Sequence, residues 1–138
     1  MFDDAARWER TLEAESALFE PLRPGSRIGL VAETVIASRH RRPSELLVCE
    51  RVASGMRAAL EPYAGFESAA VDLLIALDED AMRTLESGSE AGLSRTLRRL
   101  ARGGHALFFA RRSRAELEDA GYDDLLYEIG FAYLGTCR

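Results

Sequence analysis

The chain has 138 residues and a formal net charge of −5, with 47% hydrophobic and 30% charged residues. This length predicts a single domain that buries its own core without metals or disulfides, and the negative charge argues against nucleic acid as a partner. No apolar run is long enough to span a membrane and the N-terminus, Met-Phe-Asp-Asp, shows no signal peptide, so we expect a soluble cytoplasmic protein.

All 18 of the Lys-plus-Arg residues are arginine, and the chain has no lysine, asparagine or glutamine. This composition excludes Schiff-base chemistry on lysine and a phosphate-binding loop of the lysine type. The two cysteines, Cys49 and Cys137, do not form a metal-type or redox-type pair. Cys49 lies in an apolar run, which predicts a buried thiol.

Residues 3–19 are predicted to form an amphipathic helix, which Pro21 ends. Its apolar stripe consists of Ala5, Trp8, Leu12 and Phe19. The helix makes an N-terminal unit over residues 1–22, ahead of an α/β core over residues 27–138. It could cover an edge or a face of the sheet, or serve as a contact in a homodimer.

The next two segments have patterns that fit both a helix and a strand. Residues 27–38 are rich in β-branched side chains but follow helical spacing, so a short strand running into a helix would satisfy both patterns. Residues 44–60 favour a helix capped by Ser44. The alternative is a strand over residues 45–49 followed by a shorter helix.

The second half begins with a buried strand over residues 69–77. A helix starts at residues 80–86 and resumes at residues 93–100, and a Gly-Gly turn then leads to a strand over residues 105–110. A strand, crossover helix and strand in this order are typical of a parallel sheet.

The end of the chain predicts a short helix and a final strand. Ser113 and Glu116 have the spacing of a capping box, and Gly121 ends the helix that they start. Residues 125–136 alternate in the manner of a strand. The predicted fold is therefore a three-layer α/β domain whose sheet is mostly parallel, with an antiparallel C-terminal strand.

Three carboxylates follow the buried strand, at the sheet edge where open α/β domains bind ligands. Asp78, Glu79 and Asp80 could hold Mg²⁺ or a polar ligand. The competing interpretation, which we favour, is that Asp78 or Asp80 caps the following helix while the other carboxylates favour its N-terminal dipole.

The other polar candidates are the histidines and the arginine clusters. His105 could act as an acid or base, but in a parallel sheet the start of its strand would lie opposite the ligand edge. His40 has no evident partner. The arginine clusters at residues 39–42, 95–102 and 111–114 are expected to be solvated faces paired with carboxylates.

The second half resembles the C-terminal half of class I S-adenosylmethionine-dependent methyltransferases. The residues that carry the resemblance are Val71-Asp72, Leu97-Arg98-Arg99-Leu100, Gly103-Gly104 and Ala120-Gly121-Tyr122. It implies S-adenosylmethionine as cofactor, with Glu50 in the position that binds the ribose hydroxyls and Asp78, Glu79 and Asp80 at the ligand edge. The family's glycine-rich loop is replaced by Val31-Ala32-Glu33-Thr34. We therefore expect a degenerate domain that binds a partner protein or small ligand without catalysis, and an active methyltransferase is the alternative.

A second resemblance is to STAS domains, which share the order of strand, helix, glycine, strand and helix. Where that family carries a phosphorylatable serine, this chain has Asp78-Glu79-Asp80-Ala81. This resemblance implies a protein-binding regulatory module that works without phosphorylation. The shared pattern cannot by itself choose between the two families.

Overall fold

The computed structural model describes residues 5–33, 44–65, 67–87 and 92–131. The helices are α1 (Ala5–Glu13), α2 (Ser16–Phe19), α3 (Glu79–Ser87), α4 (Leu93–Arg102), α5 (Arg114–Asp119) and α6 (Asp123–Ile129). The strands are β1 (Arg27–Ala32), β2 (Ser44–Val52), β3 (Gly55–Tyr63), β4 (Leu73–Leu77) and β5 (Ala106–Ala110). No helix in the described ranges is long and apolar enough to cross a membrane.

The five strands form one mixed sheet in the order β3-β2-β1-β4-β5. The α/β class is confirmed, but the prediction of a mostly parallel sheet is wrong, because β1 and β4 are the one parallel pair among these strands. Two helices, α3 and α4, separate β4 from β5. The first leads the chain away from the end of β4 and the second leads it back, so β5 starts at that end and runs antiparallel to β4.

The segment predicted as a helix over residues 44–60 is a β-hairpin instead. Val52 pairs with Gly55, so a two-residue turn joins β2 to β3 and makes the two strands antiparallel. The strand prediction for residues 45–49 had the right type, although β3 takes the place of the shorter helix. Since β2 is an inner strand whose residues 46–49 are all buried, it lacks the alternation that identifies a strand.

The helices cover one face of the sheet. The main core cluster contains residues from all six described helices, among them Leu12, Phe19, Met82, Leu97, Leu117 and Leu126. The opposite face carries a smaller cluster of Val31, Leu46, Val48, Val71, Leu74 and Ala76, against which Tyr63, Ala69 and Phe109 pack. The described residues thus form two layers of secondary structure, and the predicted third layer of helices is not among them.

The N-terminal helix is integral to the core. The predicted helix over residues 3–19 is α1 followed by the short α2, and Trp8 and Leu12 of α1 are buried. Glu9 Oε2 of α1 accepts a hydrogen bond of 3.0 Å from the backbone N–H of Ala58 in β3. The helix therefore covers a face and touches an outer strand, and its apolar stripe is used inside the domain.

The predicted C-terminal strand over residues 125–136 is wrong for its first half, which lies in α6. Leu125, Leu126 and Ile129 are buried whereas Tyr127 is 72% exposed, which is the pattern of a helix packed on one side. Gly130 ends the helix with a left-handed φ of +81°. Residues 132–136 lie outside the described ranges.

Candidate functional site

The carboxyl end of β4 and the start of β5 meet at one edge of the sheet. Asp78 Oδ2 lies 2.6 Å from His105 Nδ1, and the Asp78 backbone N–H donates to the His105 carbonyl at 3.0 Å. The prediction that His105 lies opposite this edge is wrong, because β5 runs antiparallel to β4. We call Asp78, Glu79, Asp80 and His105 the acidic edge.

The second carboxylate oxygen of Asp78 caps the N-terminus of α3. Asp78 Oδ1 accepts a hydrogen bond of 2.8 Å from the backbone N–H of Ala81, in the first turn of α3. This confirms the interpretation of Asp78 as a helix cap. One side chain therefore holds the start of α3 and orients the His105 ring through its Nδ1 atom.

The two side chains shift each other's pKa. The hydrogen bond from Ala81, followed by the bond to His105, lowers the pKa of Asp78. The hydrogen bond and the charge of Asp78 raise the pKa of His105 above its ordinary value, and the charge of Asp80 adds to the effect. The pair therefore favours an ionised carboxylate beside a protonated imidazole.

Glu79 and Asp80 are the solvent-facing members of the acidic edge, and both are exposed. Asp80 makes an ion pair with Arg83 of the same helix. Within the described residues, the side chain of Glu79 has no hydrogen-bond or ion-pair partner. No group of three His, Cys, Asp or Glu side chains in those residues is arranged to hold a metal ion.

Glu50 lies at the other end of the sheet. It pairs in register with Arg27 at the start of β1, whereas Leu77, just before the acidic edge, pairs with Ala32 at the end of β1. Arg27 Nη1 donates to Glu50 at 2.9 Å. The structure thus does not bring Glu50 together with the acidic edge, although the resemblance assigns both to one cofactor.

Arg27 belongs to an ion-pair cluster that sequence reasoning missed. Its Nη2 donates to both carboxylate oxygens of Glu61, at 2.6 and 2.7 Å. Those bonds raise the pKa of Arg27 despite some desolvation. The paired carboxylates come from β2 and β3, so only the hairpin that was predicted as a helix could have revealed the cluster.

Asp72 anchors a second cluster close to the first. Its Oδ2 accepts hydrogen bonds from the Arg27 backbone N–H at 3.0 Å and from the Tyr122 hydroxyl at 2.8 Å. Its Oδ1 accepts from Arg112 Nε at 3.1 Å. Burial raises the pKa of Tyr122, so the phenol stays protonated and acts as a donor. The cluster ties β1 and β4 to the chain that enters α6.

A cleft of about 260 Å³ lies between α1, α3 and α4. Its polar wall includes Glu15, whose carboxylate accepts from the backbone N–H groups of Leu93 at 2.6 Å and Ser94 at 3.1 Å. Ser94 Oγ donates to the same carboxylate at 2.7 Å. Since Glu15 already occupies the N-terminus of α4, the cleft is closed to another anion at that point.

The remaining candidate residues are the two cysteines and His40. Cys49 is buried as predicted, and desolvation raises the pKa of its thiol to about 12. His40 and Cys137 lie outside the described residues.

No protein-family model matches this chain, and no curated protein matches it either. The resemblances to methyltransferases and to STAS domains therefore remain predictions. What is established is the α/β fold and the geometry of its acidic edge.

Proposed function

We propose that this chain is a non-catalytic binding module whose acidic edge binds a cationic group of a partner protein or small ligand. The observation that carries the proposal is the 2.6 Å contact between Asp78 and His105 beside two exposed carboxylates. It makes this edge a preorganised polar surface, since the side chain at its centre is held from two directions. The net charge of −5 also supports binding of a cationic group, because it attracts cations at long range.

The carboxylates of the acidic edge that remain exposed can bind a guanidinium or an ammonium group. Asp78 is engaged by the helix cap and by His105, so Glu79 and the Asp80 oxygen that is not bonded to Arg83 supply the accepting atoms. Exposed ion pairs each contribute about 0–1 kcal/mol. We therefore expect an affinity in the micromolar to millimolar range that falls as salt is added.

The test is a nuclear magnetic resonance titration with a tetra-arginine peptide, using a tetra-glutamate peptide as the control ligand. We expect shift changes centred on Glu79, Asp80 and His105 with the first peptide alone. The double substitution Glu79→Gln and Asp80→Asn should remove them, whereas Glu13→Gln on the exposed side of α1 should not. Changes that spread evenly over all carboxylates would contradict the proposal.

The finer proposal, kinship with S-adenosylmethionine-dependent methyltransferases, is supported by the order β4, helix, Gly-Gly turn and β5. The antiparallel hairpin of β2 and β3 and the remote position of Glu50 count against it. Isothermal titration with S-adenosylmethionine and S-adenosylhomocysteine tests it. Micromolar binding that is lost in Glu50→Ala would replace the non-catalytic proposal with an active methyltransferase.

The STAS alternative is tested by a pull-down. Recovery of an anti-sigma or kinase partner would favour it.

A second candidate function is acid–base catalysis by the Asp78–His105 pair. A carboxylate that fixes one ring nitrogen of a half-exposed histidine is also how enzymes orient a general base. The discriminating measurement is hydrolysis of p-nitrophenyl acetate by the protein and by His105→Gln. Turnover that depends on His105 and rises with its deprotonation would support the enzyme over the binding module.

A further inference from the structure

The contact between His105 and Asp78 fixes where the imidazole ring keeps a proton. His105 Nδ1 lies 2.6 Å from Asp78 Oδ2. Because an ionised carboxylate only accepts hydrogen bonds, Nδ1 carries a proton whether the ring is charged or neutral. The proton that the ring gains and loses is therefore the one on Nε2, and the hydrogen bond to Asp78 can be made in both forms.

The backbone holds the pair in place beside the exposed carboxylates. The Asp78 N–H donates to the His105 carbonyl at 3.0 Å, and the His105 N–H donates to the Leu100 carbonyl at 2.8 Å. Asp78 also caps α3 at the Ala81 N–H, in the turn that carries Glu79 and Asp80. The side chains of Asp78 and His105 are 31% and 40% exposed. The ring can therefore exchange its proton with solvent while it stays next to the start of α3.

Protonation of His105 changes the charge that the acidic edge presents. The edge has three carboxylates, and Arg83 offsets one of them through its ion pair with Asp80. A protonated ring offsets a second one, whereas a neutral ring offsets none. The protonation state of one side chain therefore decides whether one or two negative charges of the edge stay uncompensated.

The described charged groups around the ring come from several elements. Besides the acidic edge and Arg83, they are Arg99 and Arg102 in the last turn of α4 and Glu33, which follows β1 at the same end of the sheet. Among these groups, the charges that raise the pKa of His105 are those of Asp78 and Asp80. The ring therefore responds to the charges of the edge, and by thermodynamic linkage the edge responds to the charge of the ring.

We propose that protonation of His105 regulates the acidic edge, so that it binds a cationic ligand weakly when the ring is charged and more tightly when the ring is neutral. This inference rests on the proposed function, because it concerns the same edge and the same class of ligand. The effect is electrostatic and needs no movement of the chain, since a protonated imidazole repels an incoming guanidinium. Because the pKa of His105 is raised, the change occurs at a pH above 6.5.

The test is a nuclear magnetic resonance titration with a tetra-arginine peptide, acetylated and amidated at its ends, at pH 5.5 and at pH 9.0 and at the same low ionic strength. Guanidinium groups and carboxylates of ordinary pKa are charged at both pH values, so neither titrates between them. One unit charge several ångströms away in water changes an affinity by about threefold, so we expect a dissociation constant about threefold higher at pH 5.5. His105→Gln should remove this difference. The matched control is His40→Gln, which removes the other histidine and should keep the difference.

The same coupling can be measured from the ring in the wild-type protein. Linkage requires the peptide to favour the neutral ring by the same factor, so a saturating peptide should lower the pKa of His105 by about 0.5. Tetra-glutamate at the same concentration should not lower it. This measurement needs no variant, so it decides the question even if His105→Gln does not fold.

The outcomes separate the regulation from the proposed function. Equal affinity of the wild type at the two pH values, or the same pH dependence in a folded His105→Gln variant, would overturn the regulation and leave a cation-binding edge in place. An unchanged pKa of His105 with saturating peptide would do the same. A protein that does not bind tetra-arginine at either pH would overturn both.

Discussion

His105 shows how a single side chain acquires chemistry from its neighbour. Its pKa is raised by Asp78, which accepts its hydrogen bond and opposes its charge. In a nuclear magnetic resonance pH titration we expect the His105 ring to titrate above 6.5. Asp78→Asn should bring the pKa back towards that value, and His40→Gln assigns the two histidine signals. Titration of His105 unchanged by Asp78→Asn would mean that the pair does not form in solution.

The same pair makes folding stability depend on pH in a defined direction. The raised pKa of His105 contributes stability below its unfolded value of about 6.5, and that stability is lost as the pH rises through the folded pKa. The lowered pKa of Asp78 contributes stability above its unfolded value of about 3.9, and that stability is lost as the pH falls through the folded pKa. Urea unfolding should show a larger difference between wild type and His105→Asn at pH 5.5 than at pH 8.5. An equal difference at both pH values would contradict the linkage.

Among the described glycines, Gly121 is the one whose replacement by a larger residue would cause the most severe collision. Its φ is +86°, and a Cβ atom there would collide with the backbone carbonyl of Pro21. We expect Gly121→Ala to lower the free energy of unfolding by about 2–4 kcal/mol, since strain and overlap with rigid backbone add. Gly104→Ala is the control, because it has a similar φ of +80° and open space around its Cβ. Urea unfolding of both variants separates the collision from the backbone strain.

At the scale of the element, α4 is capped by a residue from a distant part of the chain. Glu15 receives two backbone N–H bonds and one hydroxyl bond at the helix start, where α4 has no side-chain cap of its own. Glu15→Ala should cost about 1–3 kcal/mol, because a charged acceptor and a favourable dipole contact are lost together. Glu13→Ala, two residues away and exposed, should change stability by less than about 0.5 kcal/mol. Equal losses in the two variants, by thermal melts, would show that Glu15 does not act as a cap.

Elements with purely local signals agreed with the sequence. The capping box of Ser113 and Glu116 is present as predicted, and the left-handed Gly104 follows α4. Both depend on residues within one turn of each other, so the sequence signal for them is local. The predictions were wrong for the segments that form the β2–β3 hairpin and helix α6. A strand that is buried on both faces and a buried helix share the same apolar pattern, so the sequence alone does not distinguish them.

At the scale of the whole molecule, the question is how much the N-terminal helix α1 contributes to the stability of the domain. Leu12 is 2% exposed and packs in the main core cluster. We expect Leu12→Ala to lower the free energy of unfolding by about 2–5 kcal/mol, as large-to-small core substitutions do. Leu60→Ala, at 38% exposure, should cost less than about 1.5 kcal/mol. A small effect of Leu12→Ala in denaturant unfolding would mean that α1 is an appendage and not part of the core.

The amino-acid sequence by itself determined the α/β class and the buried strand β4. It also determined the helices α3 and α4 and the acidic residues at the end of β4. These follow from composition, periodicity and capping, which are local properties of the sequence. Only the tertiary structure decided the direction of β5 and the pairing of β2 with β3. Strand direction depends on whether the intervening helices bring the chain back to the same end of the sheet. That return path placed His105 on Asp78, and the antiparallel pairing of β2 with β1 placed Glu50 at the opposite end. The candidate site is therefore a product of topology and not of spacing along the chain.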